Sequence, residues 1–352
     1  MNKSKKKLKI MDVTLRDGSY VNRFQFSCAE QKIITSALEK VGYEYIEIGH
    51  GMGLGASTPQ NGIALQTDRE YLETAQKFLK KAKYGMFCIP GVASLEDVDM
   101  AAQYGVQFLR IGTNVDQVEK SKEYIERAKK YGICVMTNYM KSYAVSPEFF
   151  ARQVQKSVSY GADVVYVVDS AGSMMPEEIE KIYYKVRQVS NVTLGFHGHD
   201  NLGLAMANSI KAADLGFEFI DCSLQGMGRS SGNTSTELFT ICANKRGYSV
   251  DIDIMKLLEI SKKYVYPMMK RLEPLDVMCG ATGFHTSYLG SIHKVAGTYG
   301  VNPLLLMEKY TQIDQLNVDE KKLEEIAKEL PEDAESMSIV DFSKYFGDEQ
   351  RQ

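Results

Sequence analysis

The chain has 352 residues, 44% of them hydrophobic and 25% charged, with a formal net charge of −3. This composition suits a globular protein that buries a sizeable core, and the near-neutral balance excludes a global pull toward nucleic acid or an anionic membrane. No run of about 18 apolar residues offers a membrane span, and no apolar segment follows the first lysines to make a secretory signal.

The basic run Lys3–Lys7 reads as a solvated tail. Six cysteines, at 28, 88, 134, 222, 242 and 279, show no Cys-x-x-Cys spacing. They are expected to be buried free thiols in a reducing compartment, and so in the cytoplasm.

Short apolar runs recur from the N-terminus. They are "LKIMDV" at 8–13, "YIEI" at 45–48, "YGMFCI" at 84–89, "FLRI" at 108–111 and "CVMT" at 134–137. "VVYVV" at 164–168, "TLGFH" at 193–197 and "FEFIDC" at 217–222 follow. Stretches of helical period separate them, such as "SCAEQKIITSALEKVG" and "DREYLETAQKFLKKAK". Several end in glycine, as at Gly42, Gly132, Gly161 and Gly216, which suits the residue after a helix. Eight strands alternating with helices predict an α/β fold, a (β/α)8 TIM barrel, over residues 1–250. An open doubly wound sheet is the structural alternative, but no G-x-G-x-x-G follows the first strand. Residues 251–352 are expected to form a C-terminal helical domain, built on "IMKLLEISKKYVYPMMKRL", "HTSYLGSIHKVAGTYG" and "VDEKKLEEIAKEL". The "DEQRQ" terminus is expected to be mobile.

Barrel active sites form at the C-terminal ends of the strands. The first strand ends in Arg16-Asp17-Gly18, and the second carries Glu47 and runs into "GHGMGLGAST". The fourth carries Arg110, the fifth leads to Asn138, and the sixth ends in Asp169-Ser170. The seventh ends in "GFHGHDN", and "QGMGRSSGNTSTE" follows the eighth. His197 and His199 are two apart, so their imidazoles share one face of a strand. With Asp17 from a nearby strand they make a two-histidine, one-carboxylate set of the kind that binds a divalent ion. Arg16 would stabilise negative charge beside it, and Glu47 would hold Arg16 in place or form a structural salt bridge. Asn233 could reach the metal or cap a helix. The two glycine-rich loops are weak phosphate signals, since neither is a Walker A sequence.

These segments, "TLRDG", Glu47, "HGMGLGAST", "DSAGSM", "GFHGHDNLGLAMANS" and "GMGRSSGNTSTE", resemble the metal-dependent aldolase and lyase barrels. That superfamily includes HMG-CoA lyase and, more similar still, the 4-hydroxy-2-oxovalerate aldolases. The resemblance implies a class II pyruvate aldolase using Mn²⁺ or Mg²⁺, a carbon–carbon lyase acting on a 4-hydroxy-2-oxo acid. Asp17, His197 and His199 would be ligands, with Asn233 matching the loop asparagine. Arg16 would stabilise a pyruvate enolate, and Ser170 would hold the pyruvate carboxylate. An aldehyde dehydrogenase partner and a homo-oligomer are further implications, with neither nucleic acid nor membrane as a partner.

One departure stands out. Tyr20 occupies a position where those aldolases carry histidine, and His285 one where they carry tyrosine. His285 is therefore expected to be the base or its relay, with Tyr20 orienting the hydroxyl and His50 a further substrate contact. Two rival readings remain. One is a Claisen-type acyl-CoA condensing enzyme or CoA-ester lyase, which the cysteine-free "GMGRSSGN" loop disfavours in its lyase branch. The other is an inactive binding barrel, which the intact Arg16, Asp17, His197 and His199 disfavour.

Overall fold

In the computed structural model, residues 8–269 and 273–333 are described, with 337, 340 and 342. Both the Lys3–Lys7 run and the "DEQRQ" terminus lie outside the described residues. Eight parallel strands close into a barrel in chain order. They are β1 Lys9–Asp12, β2 Tyr45–Ile48, β3 Lys83–Cys88 and β4 Phe108–Asn114, then β5 Cys134–Met140, β6 Val164–Asp169, β7 Thr193–Gly198 and β8 Phe219–Cys222. Closure pairs β1 with both β2 and β8.

Around them lie α1 Cys28–Val41, α2 Asp68–Phe78, α3 Leu95–Gln103, α4 Lys122–Lys130, α5 Pro147–Tyr160, α6 Pro176–Arg187, α7 Ala205–Leu215 and α8 Thr236–Lys245. Their starts follow local chemistry. Ser27, Thr67 and Ser94 close capping boxes with Glu30, Glu70 and Asp97. Ser146 caps α5, whose first residue is Pro147.

Alternation along the strands sorts side chains into two sets. Ile46, Ile48, Val135, Val165 and Val167 join the cluster between strands and helices. The other parity packs in the barrel: Met11 and Val13, Tyr45, Phe108, Met136, Val164, Tyr166, Val168 and Phe219. Positions of this second parity nearer the strand ends turn polar, at Glu47, Arg110, Asn138, His197 and Asp221, and all are buried. An apolar plug thus supports a charged layer, and the site stands on that layer.

Beyond the barrel come α9 Ile254–Tyr264, α10 Pro274–Thr282, α11 Leu289–Tyr299, α12 Pro303–Thr311 and α13 Glu320–Glu329. Helices α10 and α12 lie within the expected helical region but outside the three segments named for it. Leu257 and Val265 pack into the barrel's outer cluster, whereas Leu275, Ile292, Leu306 and Leu323 form a separate one. His285 caps the 3-10 turn Thr286–Tyr288 between α10 and α11. All six cysteines are free, three of them buried and three only partly so. Among the described residues, no helix is long and apolar enough to cross a membrane.

Candidate active site

Asp17, His197 and His199 are buried together at the barrel mouth, each offering a ligand atom within 4.8 Å of the others. Asp17 opens the 3-10 turn Asp17–Tyr20 after β1, His197 lies on β7, and His199 follows it. Each imidazole has one nitrogen occupied. Nδ1 of His197 donates to Asp221 Oδ2 at 2.8 Å, and Nδ1 of His199 donates to the Gly232 carbonyl at 3.2 Å. In the neutral rings this leaves the lone pair on each Nε2, the arrangement a metal-ligating histidine needs. Burial would raise the Asp17 carboxyl, yet Arg16, both histidines and the Asn233 amide hold it well below the usual carboxylate range. Burial pushes His199 down to about 4, against the pull of Asp17.

Asn233 supplies a further observation. Its Nδ2 donates to Asp17 Oδ2 at 2.8 Å, while its Oδ1 is buried with no described partner. A buried amide oxygen without a donor is costly unless something cationic meets it. The residues present therefore fit a divalent ion, with two imidazole nitrogens, a carboxylate and an amide oxygen as donors. Capping of α8 falls instead to Ser235, whose side chain accepts from Leu238. Glycine makes the approach possible: a Cβ on Gly228 would lie 2.2 Å from Asn233 Nδ2 and 2.7 Å from Asp17 Oδ2.

Below the cluster runs a chain of ionic hydrogen bonds. Arg16 donates from Nε to Glu47 Oε2 and from Nη1 to Asp17 Oδ1, both at 2.8 Å. Glu47 Oε2 also accepts from Arg110 Nη1 at 2.8 Å. Arg110 Nη2 reaches Asn138 Oδ1 at 2.6 Å and Asp221 Oδ2 at 2.5 Å. The chain thus passes from Arg16 through Glu47, Arg110 and Asp221 to His197. Burial would raise the Asp221 carboxyl, but Arg110 and His197 lower it, so it stays ionised. Glu47 is itself fully buried and positions Arg16 from beneath the cavity. Removing either partner of such a pair leaves an uncompensated buried charge.

Arg16, Asn138, Ser170 and His285 line the cavity above, together with Phe87 and Arg229. Ser170 Oγ accepts from the Lys141 amide at 2.9 Å, which leaves its hydrogen to donate. His285 Nδ1 accepts from the Ser287 amide at 3.2 Å and lies 2.7 Å from Ser287 Oγ. That amide selects the tautomer with hydrogen on Nε2. Burial first, then the charges of Arg229 and Lys141, hold the ring well below its ordinary value, so it is neutral.

His50 is not brought to the cavity. Its ring stacks on Phe24 at 3.7 Å, Nδ1 accepts from the Met52 amide, and Nε2 donates to the Gly62 carbonyl. Both nitrogens are spent on fixing the loop after β2. Tyr20 is outside the lining too: its ring sits behind Gly51, where a Cβ would come within 2.4 Å of it. Arg110 and Asp221 received no role in the sequence reading, and Arg229 went unmentioned. The available signal was parity: Arg110 is two residues beyond interior Phe108, and Asp221 two beyond interior Phe219.

Barrel and site together define a class, the (β/α)8 enzymes that work at a divalent ion. The chain belongs to the HMGL-like family, whose sequence model matches residues 7–263. It is 40% identical over 306 residues to a 4-hydroxy-2-oxovalerate aldolase of Pelotomaculum thermopropionicum, covering 86% of this chain and 90% of the relative. A 4-hydroxy-2-oxovalerate aldolase of Desulfitobacterium hafniense is 34% identical, with 85% and 90% covered. The Bacillus subtilis HMG-CoA lyase structure superposes with a TM-score of 0.64 at 18% identity, covering 77% of this chain and 97% of that one, a likeness of fold.

Proposed function

We propose that the protein is a class II pyruvate aldolase, a carbon–carbon lyase that cleaves or forms a 4-hydroxy-2-oxo acid. The observation that carries this reading is the placement of a wired guanidinium, Arg16, against the Asp17–His197–His199 cluster within one buried cavity. The aldolase relatives support it. Asp17, His197, His199 and the Asn233 amide oxygen would hold Mn²⁺ or Mg²⁺. When bound, such an ion supplies Lewis acidity to the keto and carboxylate oxygens of the substrate.

The chain's own groups divide the remaining work. Ser170 donates to the 2-oxo acid's carboxylate. Arg16 has five donors, and Glu47 and Asp17 engage only Nε and Nη1. Its remaining N–H groups stabilise the oxygen on which charge grows. His285 takes the 4-hydroxyl proton as that oxygen forms the aldehyde carbonyl. The C3–C4 electron pair passes to C3, giving the enolate of pyruvate, which then takes a proton at C3.

To act as base, His285 must carry hydrogen on Nδ1 and present the Nε2 lone pair. Ser287 Oγ, 2.7 Å from Nδ1, permits this by rotating from donor to acceptor. In this reading the barrel, 1–250, carries the cation and the enolate, and the helical domain, 251–352, delivers the proton-handling ring. Six free thiols suit a reducing compartment, and we place the protein in the cytoplasm.

A retro-aldol screen of 4-hydroxy-2-oxo acids tests the reading, with pyruvate detected by a coupled dehydrogenase. Cleavage should need added divalent ion and should vanish in Asp17→Ala, which should fold yet fail to retain metal. Stoichiometric, wild-type-affinity metal in that variant would refute the ligand set.

A further inference from the structure

Lys141 follows β5 in a conformation that side chains rarely take. Its φ is 62° and its ψ 35°, in the left-handed region, and its side chain is among the largest that are fully buried. Such strain persists where the surroundings over-determine it. Below, the backbone supplies the constraint. The Lys141 amide donates to Ser170 Oγ at 2.9 Å. The next residue, Ser142, donates from Oγ to the Tyr139 carbonyl at 2.7 Å and accepts from the Val168 amide at 3.0 Å. Lys141 is thus laced to the ends of β5 and β6, beside the cavity.

Above, the ammonium supplies it. Lys141 Nζ donates to Tyr288 Oη at 2.8 Å and to the Leu316 carbonyl, which also accepts from Tyr288 Oη at 2.9 Å. A buried cation is costly without such acceptors, so the contact resists opening. Both partners belong to the helical domain. Tyr288 stands in the 3-10 turn that His285 caps, and its amide donates to the His285 carbonyl at 3.1 Å. Leu316 stands in the loop between α12 and α13, where Gln315 Nε2 donates to the Thr282 carbonyl at 2.8 Å, just before that turn. The barrel and α10–α13 pack separate apolar clusters, so polar bonds across the seam carry much of their register. Asn201 and Ser230 make such bonds to Asp276, near the start of α10. Lys141 makes them at the turn that carries His285.

We propose that Lys141 is a positioning residue: its ammonium fixes the turn that carries His285 over the cavity, and so sets the reach of that ring to the 4-hydroxyl. This inference rests on the aldolase reading. Lys141 stands outside the cavity lining, so its loss should be felt through His285 and not through the metal or the enolate.

Lys141→Met keeps the length of the stem and the amide that holds Ser170, and removes the donor. In the Mn²⁺-loaded protein, kcat for pyruvate release from 4-hydroxy-2-oxovalerate should fall at least about tenfold, since a small displacement of a reacting group is costly. Exchange of pyruvate methyl protons in D2O, followed by NMR, should stay near the wild-type rate, and Mn²⁺ affinity should not change. Tyr288→Phe removes one acceptor and keeps the ring. It should show the same split at smaller size, and it serves if Lys141→Met does not fold. The double variant should be no slower than Lys141→Met, because the two groups act through one contact. Hydrogen–deuterium exchange by mass spectrometry reads the tether without turnover. In Lys141→Met, peptides over 283–289 and 312–319 should lose protection, while those over β7 and β8 keep it. If the peptides stay protected in both variants, or cleavage is unchanged, or cleavage and pyruvate exchange fall together, the inference is overturned and the aldolase reading stands. If the wild type cleaves no 4-hydroxy-2-oxo acid, the aldolase reading fails, and loss of protection then upholds the tether alone.

Discussion

The floor of the cavity and its cap each hold an imidazole, and they hold it differently. On the floor, His197 gives its Nδ1 hydrogen to Asp221, a carboxylate kept ionised by Arg110. A carboxylate can only accept, so Nδ1 keeps the hydrogen and the neutral ring carries its lone pair on Nε2. In the cap, His285 meets Ser287, whose hydroxyl can donate or accept. Against the Ser287 amide, which favours hydrogen on Nε2, that hydroxyl can support the other tautomer by turning from donor to acceptor. A partner with one role suits a ligand, and a partner with two suits a group that must give and take protons. The contrast fits the proposed division, with metal binding on the strands and proton handling on the helical segment, although all of these side chains are buried.

Four substitutions probe this division, from the largest effect to the smallest. Arg16→Lys keeps the charge on the floor but loses the fork that spans Glu47 and Asp17. It should cut kcat on the order of 10² or more, with metal content unchanged by elemental analysis. Near-normal turnover would break the floor's claim to the enolate. Asp221→Asn frees the His197 tautomer and leaves Arg110 short of an anion. Metal affinity by calorimetry should fall roughly 10- to 100-fold, and wild-type affinity would mean that the carboxylate lock is immaterial.

Ser287→Ala removes the two-role partner in the cap and leaves only the amide that favours hydrogen on Nε2. Cleavage should slow by about tenfold, the low end for a proton-transfer contribution. Exchange of pyruvate methyl protons should be less affected, since enolisation need not use His285. Equal loss in both assays would remove His285 from the cleavage step.

His50 is a fourth buried imidazole, locked by two backbone groups, and sharpens the comparison through stability alone. Burial lowers it to about 4, against the Gly62 carbonyl bond. Because this lies below the unfolded value near 6.5, the unfolded chain takes the proton first. Its contribution is complete above about pH 6.5 and is lost as pH falls toward 4. Relative to wild type, His50→Asn should therefore gain about 2 kcal/mol at about pH 4.5 over the difference seen at pH 8. Denaturant titrations of the apo proteins give both values. The buried Asp12 and Asp169 carboxyls, raised by burial to about 7 and 6, slope the opposite way, so only the difference between variant and parent is diagnostic. An unchanged difference would place His50 in a solvated loop.

Much of this was legible in the chain. All eight strands lie where apolar, β-branched runs predicted them, though β4 and β5 run on to Asn114 and Met140. Polar residues there belong to the strand because neighbouring strands satisfy their backbone. His197, His199 and Asp17 come together as strand-end spacing suggested. Asp221 was hidden because it stands inside an apolar run, where only its parity marks it as facing inward. Arg229 was hidden because a glycine-rich loop has no period from which to read direction. His50 was expected as a further substrate contact, while its stacking on Phe24, 26 residues earlier, is a tertiary fact that no local pattern carries. Helices α10 and α12 begin at Pro274 and Pro303, whose place at a helix start went unused.

Closure of the ring has a temporal side. Asp17 meets Arg229 and Asn233 across 212 and 216 residues of chain. While the protein is being synthesised, Asp17 can pair with the adjacent Arg16, but its Oδ2 must wait for the loop after the eighth strand. Until then Arg16 and Asp17 have only each other and Glu47, and a half-made barrel lacks His197, His199 and Asn233 beside them. Contacts of such long separation form late and slowly. Capture of the metal should therefore report completion of the barrel, which makes ion uptake a clock for the last step of folding.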